Sequence, residues 1–412
     1  MLRLKLYYHA KPFLPWSFRM AVRRFFAQRK RHRLQSTWPI DPSTSAPPVN
    51  WSGWPDNKHF AFMLSHDVES QVGYDQLEKL LQIEESLGFR SVINFIPEGQ
   101  YRVSKERLHN LKSRGFEVGV HGLHHDGKLY NNLASFENRA QRINQYLKSW
   151  DATGFRSPLM HRNLDWLHKL NITYDSSSFD TDPFEPQPDG LGTIFPKWIP
   201  RPNGEQRPIA NSQLLIPDSN GQNTSKGSPI SNQQSEIRDP KPITDSQLPI
   251  TNSSAHSSSN QSPISNQQSI ISNSTSPDPN PKSQLIHHSP FTIHHSNIAS
   301  KAGYVELPYT LPQDSTLYLL LKEQTIDIWK NKTAWIAKHG GMAFVNVHPD
   351  YIDFNGKGTQ SQYPASHYAD FLKHVKETYA EQYWHATPKE VASYFLRSSD
   401  RRPEARSPRS ES

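Results

Sequence analysis

The chain contains no cysteine, which excludes disulfide scaffolds, thiolate metal sites and thiol nucleophiles together. Absence of disulfides fits a reducing compartment. Apolar residues are scarce, at 34% of 412 positions, while proline reaches 33. A sizeable part of the chain is therefore expected to lie outside any packed core. No apolar run has the length of a signal peptide or a membrane-spanning helix. No GxGxxG or GxxxxGK[ST] follows a predicted strand, so nucleotide binding loses its main support. The length allows one large domain or two smaller ones.

The net charge of +7 is not spread evenly. Residues 1–34 hold ten Lys or Arg and no acid, leaving the remainder at about −3. Basicity thus belongs to an N-terminal arm, and a nucleic-acid-binding body is not expected. From Pro15 to Lys30 the arm has the pattern of a basic amphipathic helix, with Phe18, Val22, Phe25 and Phe26 on one side. Such a helix can lie on an anionic membrane at roughly 1 kcal/mol per nearby basic residue. Alternatively its aromatics dock on the domain while the arginines stay solvated. The expected location is the cytoplasm, with peripheral membrane contact through residues 1–34.

From Phe60 onward strands and helices alternate. "FAFMLSH" reads as a buried parallel strand. "YDQLEKLLQIEESLG" reads as a helix closed by Gly88, and "SKERLHNLKSRG" as one capped by Ser104. "RSVINFIP", "FEVGVH", "GFRSP", "ITYDSS" and "GMAFVNVH" read as strands. "SFENRAQRINQYLKSW", with Ser135 as its cap, reads as a helix, as do "TIDIWKNKTAWIAKHG" and "SHYADFLKHVKETYA". The chain closes on "YWHATPKEVASYF". Repeated β/α units imply a parallel sheet, open or closed into a barrel. His66 and Asp67, His121, Arg156 and His348 all fall at predicted strand ends, where a barrel gathers its active site on one rim. Residues 204–301 break this pattern. "SPISNQQS" recurs at Ser228–Ser235 and Ser262–Ser269, and so polar a stretch cannot offset its chain entropy by burial. It is expected to be a disordered insertion, with His287, His288, His294 and His295 as solvated bystanders.

Four motifs carry candidate chemistry. In "HGLHHDG", a strand ending at His121 followed by a loop would bring His125 back beside it; Gly122 stands where HExxH requires Glu. Two imidazoles and a carboxylate suit Zn²⁺ with an open position. In "SHDVES", Asp67 and Glu69 face the same side of an extended chain and supply a third ligand and a general base, in either order. In "GFRSPLMHRN", Arg156 is placed to orient a carboxylate. In "FVNVHPD", His348 closes an apolar strand and reads as a general acid.

Together these motifs resemble the polysaccharide deacetylase family, the NodB-homology domain or carbohydrate esterase family 4, over roughly Phe60–Arg201 and Gly303–Leu396. The resemblance implies a distorted (β/α)₇ barrel and metal-assisted hydrolysis of an N- or O-acetyl group on a sugar. It implies His121 and His125 as metal ligands and Asp67 as the base acting on water. Arg156 would hold that base, His348 would protonate the leaving group, and the Leu159 N–H would stabilise the oxyanion. The metal is expected to be Zn, with Co or Ni as alternatives. One departure stands out: the family's acid motif has two adjacent aspartates, whereas here Val68 separates Asp67 from Glu69. Glu69 is therefore the expected third ligand, with Asp67 in that place as the alternative. His124 has no role in this scheme. Asp126 is expected to orient a liganding imidazole, and Trp198 to stack on a sugar. The loop carrying Asp180, Asp182 and Glu185 is expected to face substrate.

The expected organisation is a basic arm at 1–50, a barrel formed by 51–203 and 302–398, the insertion 204–301 and a disordered tail at 399–412. Two other functions are open: a metal-free amidohydrolase on the same barrel, and a carbohydrate-binding protein whose site has lapsed.

Overall fold

The computed structural model describes residues 16–202 and 303–400. Residues 1–15, 203–302 and 401–412, which carry most of the expected insertion and tail, lie outside them. A nine-stranded sheet organises the described chain. Its strands are β1 (Phe60–Val68), β2 (Val92–Phe95), β3 (Glu117–His121), β4 (Gly154–Arg156), β5 (Tyr174–Asp175), β6 (Lys197–Pro200), β7 (Gly303–Glu306), β8 (Met342–Val347) and β11 (Tyr383–His385). A separate pair, β9 (Ile352–Asp353) and β10 (Tyr363–Pro364), lies between β8 and β11 in sequence. The helices are α1 (Trp16–Arg33), α2 (Gln71–Leu87), α3 (Lys105–Ser113), α4 (Leu133–Ser149), α5 (Asp327–His339), α6 (Ala365–Thr378) and α7 (Pro388–Asp400).

β1 is central. It pairs in parallel with β8 along one edge, and with β2 and β11 along the other. Parallel pairing continues from β2 through β3, β4 and β5 to β7, and β6 adds to β7 antiparallel. The sheet curls until the chain after β7 reaches β8, where Thr310 and Leu311 each donate an N–H to Phe344 O at 3.0 Å. The Thr310 hydroxyl adds two more bonds, donating to Met342 O at 2.6 Å and accepting from Phe344 N at 2.9 Å, so these four bonds complete the expected distorted barrel instead of a ladder.

Sequence pattern explains most of this. β1 and β8 are buried at every position, as strands covered on both faces must be. α2 turns Leu77, Leu80 and Leu81 inward, each worth about 1.5–3 kcal/mol when fully buried. It ends at Gly88, whose φ of 83° returns its N–H to Glu84 O and Glu85 O. Ser104 caps α3 as expected, accepting from Arg107 N at 3.1 Å. α4 corrects the reading of Ser135 as its cap. Asn132 Oδ1 accepts from Ser135 N at 2.8 Å, one turn earlier than the apolar pattern indicated, because Leu133 in that first turn is exposed.

α1 docks on the body, but not by Phe25 or Phe26. Arg24 Nε donates to Leu319 O at 3.2 Å, Gln28 Nε2 to Leu321 O at 2.9 Å, and Arg31 pairs with Glu323. Ala27 is buried, while Phe25 and Phe26 face outward. Of the two readings of this helix, docking through its aromatics does not hold for Phe25 and Phe26. No helix among the described residues is long and apolar enough to cross a membrane.

Candidate metal centre

Sheet register assembles the site. Asp67 of β1 lies beside Asn94 of β2, which lies beside Gly119 of β3, and His121 lies beside Arg156 of β4. A Cβ at Gly119 would stand 2.1 Å from Asn94 Oδ1, so this glycine leaves the space that the Asn94 amide occupies. Two residues on, β3 ends at His121 and Gly122 takes φ 64° against the Pro158 ring, 2.5 Å from where a Cβ would be. That left-handed turn, which glycine adopts without penalty, sends the loop back. Leu123 anchors the loop in the core, and His124 Nδ1 bonds Glu98 O at 2.9 Å. His125 then arrives beside His121, their ring centroids 5.5 Å apart.

Glu69, His121 and His125 bring one ligand atom each within 4.8 Å of one another. Glu69 Oε1 is 3.0 Å from His125 Nε2, and Glu69 Oε2 accepts from Tyr351 OH at 2.5 Å. His121 Nδ1 lies 3.1 Å from Arg156 O, which fixes that nitrogen as the N–H and leaves Nε2 as the free lone pair. His121 Nε2 is buried with no hydrogen-bond partner among the described residues. Burial pushes the His121 imidazole down to about 4, so it is neutral at ordinary pH. A buried, unpartnered, neutral imidazole nitrogen facing a second imidazole and a carboxylate fits a divalent cation of the zinc type. The geometry brings Glu69, not Asp67, into this group.

Asp67 instead sits in a cage of donors. Asn94 Nδ2 reaches Oδ1 at 2.9 Å, Asn346 Nδ2 reaches Oδ2 at 2.9 Å, and Arg156 Nε lies 2.8 Å from Oδ2. Burial opposes ionisation of Asp67. The charges of Arg156, His121 and His348 and the Asn94 hydrogen bond outweigh it and hold the carboxyl well below its usual range. Arg156 thus serves twice, positioning His121 through its carbonyl and Asp67 through its guanidinium.

His348 follows β8. Its Nε2 is 3.9 Å from both Asp67 Oδ2 and Glu69 Oε1. Its Nδ1 lies 2.6 Å from Asp314 Oδ1, and its backbone N–H donates to Asp314 Oδ2 at 2.8 Å. Burial works against charging this imidazole, but Asp314 outweighs it and raises His348 to about 10. A cavity of about 430 Å³ opens over these groups, with Asp67, Glu69, His121, Leu159 and His348 among its lining residues.

Four expectations change. Asp126 contacts neither liganding imidazole; it forms a two-bond pair with Arg139 at 2.8 and 2.7 Å, because its loop position faces α4. Trp198 does not line the cavity. Its register opposite Val305 packs it half-buried on an apolar cluster that includes Tyr174, Val305 and Leu307. His66 turns away from the rim into a buried network with Glu84 Oε1 (2.6 Å), which also accepts from Tyr368 OH (2.5 Å). Of the loop acids, Glu185 lines the cavity, whereas Asp180 pairs with buried Lys332 at 2.8 Å and Asp182 accepts from Tyr309.

Asn94, Asn346, Asp314 and Tyr351 were not singled out in the sequence. A lone Asn within "VINF" and within "AFVNV" was the available signal, since buried parallel strands are otherwise nearly all apolar. Tyr351 follows His348 by three positions in "HPDY". Asp314 had no local signal.

The sequence matches no family model, and no curated protein matches it. Solved structures similar over most of the chain include proteins assigned as polysaccharide deacetylases. One from Mycobacterium smegmatis is 13% identical, covering 84% of this chain and 93% of that chain at a TM-score of 0.47. One from Pseudomonas aeruginosa PAO1 is 12% identical, covering 87% and 98% at 0.45. The allantoinase PuuE is 10% identical, covering 87% and 97% at 0.47. None of these likenesses bears on the chemistry, which rests on the side chains described above.

Proposed function

We propose that this protein is a metal-dependent hydrolase that removes an acetyl group from a sugar of a polysaccharide or glycan precursor. The supporting observation is the Glu69–His121–His125 group beside a caged carboxylate, Asp67, and an imidazole charged by Asp314, His348, with Asp67, Glu69, His121 and His348 lining one cavity. A divalent ion held by those three residues, Zn with Co or Ni as alternatives, supplies Lewis acidity toward water and an acyl carbonyl.

The chain's own groups do the rest. Asp67 Oδ takes the proton of the attacking water as the new C–O bond forms. So strongly stabilised an anion is a weak base, and it suffices only for a water already made acidic. Arg156 keeps Asp67 ionised and aimed. His348, charged by Asp314, donates its Nε2 proton to the leaving nitrogen or oxygen as the C–N or C–O bond breaks. Acetate and a free amine or hydroxyl leave. Leu159, whose φ of 57° turns it onto the cavity wall, is assigned to the oxyanion through its N–H.

A metal-free amidohydrolase is the second reading, favoured by the 3.0 Å approach of Glu69 to His125, which neutralises both without an ion. Metal analysis combined with acetate release from chitooligosaccharides separates them. The metal reading expects one tightly bound divalent ion and loss of both ion and activity in His121→Ala and His125→Ala. Full activity in chelated protein would overturn it. The catalytic unit is assigned to 51–203 and 302–398.

A further inference from the structure

The cavity wall formed by α1 carries two cations that the hydrolytic scheme does not use. Arg23 and Arg24 both line the cavity that holds Asp67, Glu69 and His348. Arg24 is oriented by its Nε bond to Leu319 O at 3.2 Å, while its Nη2 is buried with no hydrogen-bond partner among the described residues. Neither arginine pairs with a carboxylate among the described residues. Glu185, an acid of the same cavity wall, is committed elsewhere: it accepts from Tyr309 OH at 2.9 Å and Gln313 Nε2 at 2.7 Å, and burial pushes it up to about 7. Lys322 adds a third cation nearby, its ammonium pushed down by burial and then by the charge of Arg24.

Adjacent like charges with a desolvated, unpartnered N–H are costly for the free protein. An anion entering the cavity would remove that cost, since a guanidinium fork matches carboxylate and phosphate oxygens in two-bond geometry. The same wall offers apolar surface from Phe184, Leu319 and Leu320, and 430 Å³ exceeds what an acetyl group alone requires.

We propose that the site selects an acylated saccharide bearing an anionic group, phosphate or carboxylate, which Arg23 and Arg24 of the N-terminal helix hold while the acyl group meets the Glu69–His121–His125 centre. This rests on the hydrolytic reading for the reaction, and on the two arginines alone for the selectivity. α1 is then a specificity element of the active site.

The test uses the zinc-loaded full chain and three probes: tetra-N-acetylchitotetraose, its 1-phosphate, and the tetramer oxidised to a terminal carboxylate. Acetate release and calorimetric binding are measured for each. For the native chain, kcat/KM on one charged tetramer exceeds the neutral one by about tenfold or more, and the better charged probe identifies the anion. That advantage collapses toward parity in Arg23→Gln and Arg24→Gln and inverts in Arg23→Glu. Arg23 has no bond to the body among the described residues, so its variants separate charge from undocking of α1. Equal use of charged and neutral tetramers by the native chain, or an advantage surviving both Gln variants, would overturn the proposal. If no probe is hydrolysed, the hydrolytic reading falls and binding decides. Arginine-dependent preference for a charged tetramer then supports the selectivity, and its absence refutes it.

Discussion

Asp314→Asn isolates the proton-donating arm of the site. Asp314 is fully buried and accepts four bonds: from His348 Nδ1 at 2.6 Å, His348 N at 2.8 Å, Ser315 N at 2.7 Å and Tyr363 OH at 3.1 Å. Asparagine keeps the shape but removes the charge, and turns an NH₂ toward one of those donors. A hydrogen bond to a charged partner is worth about 1.5–3 kcal/mol. If that energy is what keeps His348 a competent acid, kcat on an amide substrate falls by about 10- to 150-fold. KM should change little, since Asp314 does not line the cavity. The deciding assay compares an N-acetyl sugar with p-nitrophenyl acetate, whose leaving group departs without a proton. The amide reaction should show the full loss and the activated ester less than about threefold. Equal losses on both substrates, or an unaffected amide, would refute the assignment of His348 as the acid supported by Asp314.

Gly122→Ala should lower metal content and activity together, because a side chain there meets Pro158 and disfavours the turn that returns His125; unchanged metal stoichiometry would contradict this. Glu117 is raised by burial to about 7 from an ordinary 4.5. Its folded state holds a proton that the unfolded chain has released, so its contribution of about 3 kcal/mol is present below pH 4.5 and lost as pH rises to about 7. Denaturant titrations at pH 5 and pH 8 should therefore show a smaller difference for Glu117→Gln than for the native chain. Removing 204–301 should leave folding and deacetylation nearly intact, as loop-closure cost grows only slowly with length; an insoluble product would count against that domain assignment. Phe25→Ser with Phe26→Ser should weaken co-sedimentation with phosphatidylglycerol vesicles, given the outward exposure of both rings beside Arg29. Native protein that ignores such vesicles would end the membrane proposal.

How much was legible follows from where each residue's partners lie. His121, Gly122 and His125 form one continuous segment, so their meeting could be anticipated from strand-end and turn chemistry. Asp67, Arg156 and His348 were visible because each closes an apolar run. Asp314 was not, since its contact with His348 spans thirty-four positions and "LPQDS" has no pattern of its own. Asp126 and Trp198 were misplaced for the opposite reason: each stands close in sequence to the site or its rim, but α4 and the β7 register claim their side chains. α1 shows the limit of amphipathic reading. Its pattern left open whether the aromatic face meets a membrane or the domain, and it is the polar Arg24 and Gln28 that fasten the helix to the carbonyls of Leu319 and Leu321.

The antiparallel join of β6 to β7 sets Lys197–Pro200 against Gly303–Glu306, with Pro200 opposite Gly303. The strands on either side of residues 203–302 are therefore stitched together by the sheet, independently of the peptide between them. Covalent continuity between the two strands is dispensable in principle. The barrel could be supplied as two polypeptides that find each other through this seam, a natural place to cut the gene for a split protein.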